Sequence, residues 1–216
     1  MYSNDWISKL NRKFGRYAVR GLILYIVIGR AVVFGFDFVL SPTDFNLSNL
    51  LYFDRAAIAQ GQIWRLLGFV FLPSGGVLLF VFLAMYFTWL IGSALENEWG
   101  SFKFNIFFLT GVIGTMLGGL ITNYATNYYL TLSMFLAFAS IFPDFEILLF
   151  FVIPIKIKYL ALLDALLLIY SLVTESWGGR LSILISILNL LLYFGPQAAQ
   201  QVRLWYRRSL WKRKYR

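Results

Sequence analysis

The sequence predicts an all-α membrane protein with six transmembrane helices and a long interfacial first loop. Of its 216 residues, 60% are hydrophobic and only 13% are charged, whereas soluble domains are nearer 45–50% apolar and about 25% charged. Long apolar segments alternate with short polar connections. Cysteine and histidine are both absent from the sequence, which excludes disulfides, thiolate chemistry and histidine-based sites. We therefore expect no metal and no cofactor.

The net charge of +9 is concentrated at the two ends of the chain. Residues 1–20 and 201–216 hold most of the basic side chains, and the apolar body between them is slightly acidic. Such a distribution indicates membrane topology rather than a nucleic-acid groove. With both termini inside, only Arg55, Arg65 and Arg180 lie in outer segments. We therefore expect cytoplasmic termini, and the compact chain favours a prokaryotic plasma membrane.

The chain divides into a basic N-terminus at 1–20, a membrane domain at 21–195 and a basic, aromatic tail at 196–216. Six apolar segments are predicted to span the membrane, at roughly 21–40, 76–95, 103–121, 129–142, 158–174 and 180–195. The first loop, roughly 41–75, is interrupted by proline and glycine too often to span, so it is predicted to lie at the interface. The fourth span is only about 21 Å long at 1.5 Å per residue, below the roughly 30 Å hydrocarbon thickness.

The connections carry further local signals. The second span is predicted to end in the polar turn 96–98, and the segment around Pro154 is predicted to be extended because β-branched and aromatic residues surround it. Gly114 and Gly118 form a G-x-x-x-G spacing, which lets another helix approach closely. In the tail, Leu204, Trp211 and Tyr215 would share one helical face on anionic headgroups. Nucleic-acid binding is the alternative for that tail, and we favour the membrane.

Three groups of residues occur in a suggestive order. Trp64 and Arg65 lie in the first loop. The end of the second span carries Gly92, Glu96, Trp99 and Gly100. The connection between spans four and five carries Phe-Pro-Asp, from 142, and Pro-x-Lys-x-Lys, from 154. Over roughly residues 20–195 the chain resembles the rhomboid superfamily of intramembrane proteases and pseudoproteases. The resemblance implies a six-helix rhomboid-like bundle.

The departures from this family fall on its catalytic dyad. The family's serine lies in a G-x-S-G motif in the fourth span and is activated by a histidine in the sixth, because a serine hydroxyl needs a base to take its proton. Here Ser133 has no flanking glycine, and the sequence has no histidine. The resemblance therefore implies a pseudoprotease similar to derlins, although the sixth span lacks the G-x-x-x-G of derlins.

A derlin-like role implies membrane partners. Transmembrane segments of client proteins would enter laterally between spans two and five and find polar partners on spans four to six. A cytoplasmic ATPase or protease is left open as a further partner, and no nucleic acid is expected. Two alternatives remain: an active serine protease with an atypical dyad, and a small transporter. Against the transporter, we see no internal repeat.

Individual polar residues have a structural and a functional interpretation. Asp164 lies inside the fifth span, where an ionisable group is a functional candidate. We favour an internal ion pair or a hydrogen-bonded contact, with Arg30 of the first span as one candidate partner, and a client-binding role is the alternative. Ser133 is expected to bond a carbonyl one turn back. Trp64 and Arg65 are expected to anchor the first loop, or else to form a wall of the client entry.

Two further sets complete the candidate site. Ser182, Ser186 and Asn189 are spaced i, i+4 and i+7, so they form a polar stripe on the sixth span. This stripe either bonds neighbouring helices or receives a polar break in a client helix. Glu96 is expected either to cap a glycine-rich neighbour or to pair with Lys103.

Overall fold

The computed structural model describes residues 5–41, 45–74, 76–149 and 153–193. Within them, four helices are long and apolar enough to cross a membrane: α2 (Leu22–Val39), α6 (Leu78–Trp99), α7 (Ser101–Thr122) and α9 (Ile157–Thr174). Two apolar helices are shorter, α8 (Tyr128–Ile141) and α10 (Trp177–Tyr193). Each of the six predicted spans corresponds to an apolar helix, and four of these six helices have spanning length. The predicted tail helix lies outside the described residues.

The other elements are short. Helix α1 (Asp5–Phe14) precedes the bundle, and the first loop folds into α3 (Leu47–Leu51), α4 (Arg55–Ala59), α5 (Arg65–Gly68) and a 3₁₀ turn (Phe69–Phe71). One antiparallel hairpin, of β1 (Glu146–Leu149) and β2 (Ile153–Lys156), joins α8 to α9. The extended segment predicted around Pro154 is confirmed, and its pairing into a hairpin is the one departure from an all-α fold among the described residues.

The predicted polar turn at 96–98 is wrong. Helix α6 continues through these residues to Trp99, and α7 begins at Ser101. Gly100 makes the connection alone with φ of 81°, a conformation that glycine adopts without steric cost. The helix continues because the Glu96 side chain faces the protein, where it accepts hydrogen bonds, instead of turning to solvent.

Glycine residues allow close contact between two pairs of helices. A Cβ on Gly92 of α6 would lie 2.5 Å from a side-chain atom of Ile23, so α2 and α6 cross at this point. A Cβ on Gly114 or Gly118 of α7 would lie 2.6 or 2.7 Å from the side chain of Ile185 in α10. The close approach predicted from the G-x-x-x-G spacing is therefore confirmed, with α10 as the partner helix.

Helix α8 occupies the interior of the bundle. It has 14 residues and packs against α6, α7 and α9. Its first turn lies beneath the first loop, because Asn127 at its N-cap donates Nδ2 to the carbonyl of Leu72 at 2.7 Å. The predicted shortness of this helix is confirmed, and the overlying loop accounts for it.

At the opposite end of α8, Asp144 joins the hairpin to α9. Its carboxylate lies 2.9 Å from Nζ of Lys158 and 3.4 Å from Nζ of Lys156. The hydrogen bond from Lys158, followed by the charge of that residue and the contact with Lys156, lowers the pKa of Asp144 below its ordinary value of 3.8. The ion pair therefore persists above the ordinary pKa and is lost as the pH falls through the lowered one.

Replacing Lys158 with Gln is expected to raise the pKa of Asp144 toward its ordinary value. Lys156→Gln should raise it less, because Lys156 is the more distant of the two cations. Carboxyl-carbon NMR titration of the labelled protein in micelles measures both shifts. Equal shifts in the two variants would contradict the pairing seen here.

Candidate functional site

A cavity of about 640 Å³ opens between α6, α8, α9 and the first loop. Its walls include Ala84 and Thr88 on α6, Thr131 and Phe135 on α8, and Asp164 on α9. Helices α6 and α9 both pack against α8, so the cavity lies over α8 with the other two helices at its sides. This is the place between the second and fifth apolar helices at which the resemblance put client entry.

Asp164 lies on the protein-facing stripe of α9, where it is half-buried. Ile157, Asp164 and Leu168 recur at i, i+7 and i+11, so all three lie on one face of the helix. Ile157 and Leu168 are buried against the rest of the bundle, whereas Leu163 and Leu167 on the outer face are half exposed. Asp164 is thus directed toward the protein, and it is the one charged residue among the described residues that line the cavity.

The predicted ion pair between Arg30 and Asp164 is wrong. Among the described residues, ion pairs within 4 Å are those that Asp144 makes. Helix α2, which carries Arg30, packs against α6 and the first loop, whereas α9 packs against α8. The two charges therefore face different neighbours, although both lie well inside their helices.

Arg30 fastens the first loop to the bundle instead. Its side chain is 3% exposed, and Nε donates to the carbonyl of Val70 at 3.0 Å. The same carbonyl lies 3.4 Å from Nδ2 of Asn127. One carbonyl of the 3₁₀ turn is therefore shared by a residue of α2 and by the N-cap of α8.

Trp64 and Arg65 also hold the first loop. Arg65 donates Nη1 to the carbonyls of Asn49 and Tyr52, both at 2.9 Å, and Nε to Oε1 of Gln62 at 2.7 Å. Trp64 donates Nε1 to the carbonyl of Leu50. These contacts are what an anchor of the loop makes, and neither residue is among those that line the cavity.

Ser133 lies on α8 but does not line the cavity. It is 1% exposed, and its hydroxyl donates to the carbonyl of Leu130 at 2.8 Å. This bond to a carbonyl about one turn back is the one expected for a structural serine. Its neighbours Thr131 and Leu132 line the cavity, whereas Ser133 does not.

The polar stripe on α10 is used within the bundle. Ser182 bonds the carbonyl of Gly178 in its own helix, and Ser186 donates to the carbonyl of Tyr129 in α8 at 2.7 Å. All three stripe residues are buried, and they lie outside the set that lines the cavity.

Asn189 completes this stripe by joining α10 to α7. Its Nδ2 donates to the carbonyl of Phe107 at 3.2 Å, and its Oδ1 accepts from the hydroxyl of Thr110 at 2.8 Å. Both ends of the side-chain amide are therefore occupied by one neighbouring helix, as interhelical bonding predicts.

Glu96 is a cap and not a partner of Lys103. Its Oε1 accepts from the backbone N–H of Gly21, the N-cap of α2, at 2.8 Å and from the hydroxyl of Ser101 at 2.6 Å. Lys103 instead places Nζ 5.1 Å from the centre of the Trp99 ring. The motif Gly92, Glu96, Trp99 and Gly100 therefore joins the end of α6 to α2 and α7.

Sequence reasoning identified Asp164 and missed Thr88 and Thr131 as lining residues. The spacing of Thr88, Gly92 and Glu96 could have revealed the first of these, since the three are four residues apart and share one face of α6. Thr131 carries no comparable signal. Comparisons of the chain with protein families, with curated proteins and with solved structures give no match.

Proposed function

We propose that this protein is a non-proteolytic, rhomboid-like membrane protein that binds transmembrane segments of client proteins. The observation that carries the proposal is the cavity between α6 and α9, with hydroxyl groups and a carboxylate on its walls. A largely apolar cavity with a few convergent polar groups is the usual form of a binding site. Quality control of membrane proteins, or an adaptor role beside a cytoplasmic ATPase or protease, is the function that such a site would serve.

Recognition would rest on an exchange of lipid contacts for polar ones. A polar residue in a client helix has no partner among lipid chains. In the cavity it would meet the hydroxyl of Thr131 and, as an acceptor, the hydroxyl of Thr88, whose hydrogen is donated to the carbonyl of Ala84. Interhelical hydrogen bonds of this kind are worth about 0.6–2 kcal/mol each in membranes, so a client with a polar break would be preferred over an apolar helix.

The six-span bundle is part of the same proposal. Helices α8 and α10 are shorter than a bilayer is thick, yet each is packed among longer helices. A bilayer that thins around them would satisfy this mismatch and would ease the passage of polar client residues. An even number of spans places both termini on one side, and the basic residues of the ends favour the cytoplasm.

The proposal includes that the protein does not cleave its clients, because it lacks an activated nucleophile. The chain has no histidine, and the Ser133 hydroxyl is committed to a carbonyl. Incubation of the purified protein with transmembrane model substrates should leave them intact. Cleavage that is abolished by Ser133→Ala would overturn the proposal and establish the protease alternative.

Filling the cavity should weaken client binding. Ala84 lines the cavity, and Ala84→Phe places a ring in it without changing charge. We expect binding of a leucine-rich model helix with one central Gln to weaken by about tenfold, which is the loss of roughly 1.4 kcal/mol. The measurement is photocrosslinking in vesicles from a benzophenone residue in place of Phe87, an aromatic residue that lines the cavity.

The matched control is Ala31→Phe, the same substitution at an exposed position of α2. It should bind the Gln helix like the original protein. Equal binding by both variants would refute the cavity as the client site, provided that both run as folded protein in gel filtration.

A further inference from the structure

The charge of Asp164 is the feature of the cavity that a general polar site does not explain. The carboxylate lies on the protein-facing stripe of α9, at a position where its neighbours Ile157 and Leu168 are apolar and buried. Within the described part of the chain, it forms no hydrogen bond and no ion pair. The other lining residues are apolar or neutral.

Asp164 lies near the middle of α9, a helix that is long and apolar enough to cross a membrane. Seven residues separate it from Ile157 and ten from Thr174, or about 10 Å and 15 Å at 1.5 Å per residue. A carboxylate at this depth is costly without a counter-charge, and such residues face cavities and pair with cations in membrane proteins. Here the counter-charge is not supplied by the described residues.

A basic residue in a client helix has the complementary difficulty. Lys or Arg near the middle of an apolar helix is strongly disfavoured in lipid. Placed against the carboxylate, its charge would be compensated, and the hydroxyls of Thr88, Thr131 and Tyr128 on the cavity walls offer acceptors for the remaining N–H groups. One contact would thus satisfy two unpaired charges.

We propose that the cavity selects transmembrane client helices that carry a lysine or arginine near their centre, with Asp164 as the counter-charge. The inference rests on the proposed function, and it names the class of client which that function handles. Because basic residues within transmembrane helices ordinarily pair with an acidic partner, such a filter would retain helices whose basic residue is unpaired.

The test compares three model helices that differ at one central position, Lys, Gln or Leu. Each is reconstituted in vesicles with the full-length protein and crosslinked from a benzophenone residue in place of Phe87. We expect the Lys helix to bind about tenfold more tightly than the Gln helix, as a charge-assisted hydrogen bond should give. Asp164→Asn should remove this preference, and Asp164→Glu should retain it.

Glu175→Gln is the matched control, since it removes one carboxylate just beyond α9, at an exposed position. It should leave the Lys preference unchanged. Equal binding of the Lys and Gln helices, or a preference that survives in Asp164→Asn, would overturn the selection and leave the proposed function standing. Failure of all three helices to crosslink would instead overturn the proposed function, and the selection with it.

Discussion

Glu96→Ala is expected to lower the free energy of unfolding by about 3 kcal/mol. The Glu96 side chain is buried, and its Oε1 accepts from the N–H that begins α2 and from the hydroxyl that begins α7. Removing the acceptor leaves a half-buried N–H without a partner, which costs more than the net worth of the lost bond. Titration with SDS in mixed micelles, followed by tryptophan fluorescence, measures the change.

Two variants separate this effect from a general loss of charge. Glu96→Gln keeps an oxygen acceptor of the same shape, so it should lose less, about 1 kcal/mol. Glu98→Ala removes the same charge two residues later, at an exposed position, and should change stability by less than about 0.5 kcal/mol. Equal losses at positions 96 and 98 would show that the hydrogen bonds at Glu96 do not stabilise the junction.

Gly92→Ala should destabilise the protein by about 2–3 kcal/mol, in spite of alanine's better helix propensity. The new methyl group would lie 2.5 Å from Cγ1 and 2.9 Å from Cβ of Ile23. Both residues are buried in the crossing of α2 and α6, so relief requires the two helices to separate. The same SDS titration measures the loss.

Gly35→Ala in α2 is the matched control, because a Cβ there meets nothing within 4 Å. It should be neutral, or stabilising by up to about 1 kcal/mol. The double variant Gly92→Ala, Ile23→Ala should be more stable than the sum of its single variants predicts, since the second change removes Cγ1 from the clash. Strict additivity would argue against the close crossing.

The helices were predictable because long apolar segments have few alternatives in lipid. The end of α6 was not, since it depends on a hydrogen bond between Glu96 and Gly21 that spans 75 residues of sequence. Composition made 96–98 resemble a turn, and only the packing of α2 against α6 reveals that Glu96 faces inward.

The candidate site was predictable in part for a related reason. Sequence gives the depth of Asp164 and Arg30 within their helices but not the neighbour that each faces. Their similar depth suggested that the two residues form an ion pair. In the folded protein, Arg30 instead donates a hydrogen bond to a carbonyl of the first loop, and Asp164 lines the cavity. The face of a helix can be inferred from the spacing of apolar residues, but the element that covers that face cannot.

The brevity of α8 has a consequence for biogenesis. Eight of its 14 residues are buried by the surrounding protein, so little of its surface is left to meet lipid. A translocation channel that sorts segments by hydrophobic length has little reason to release such a helix alone. We expect α8 to leave the channel together with α7 or α9. This central helix would then enter the bundle in the same step as one of its neighbours.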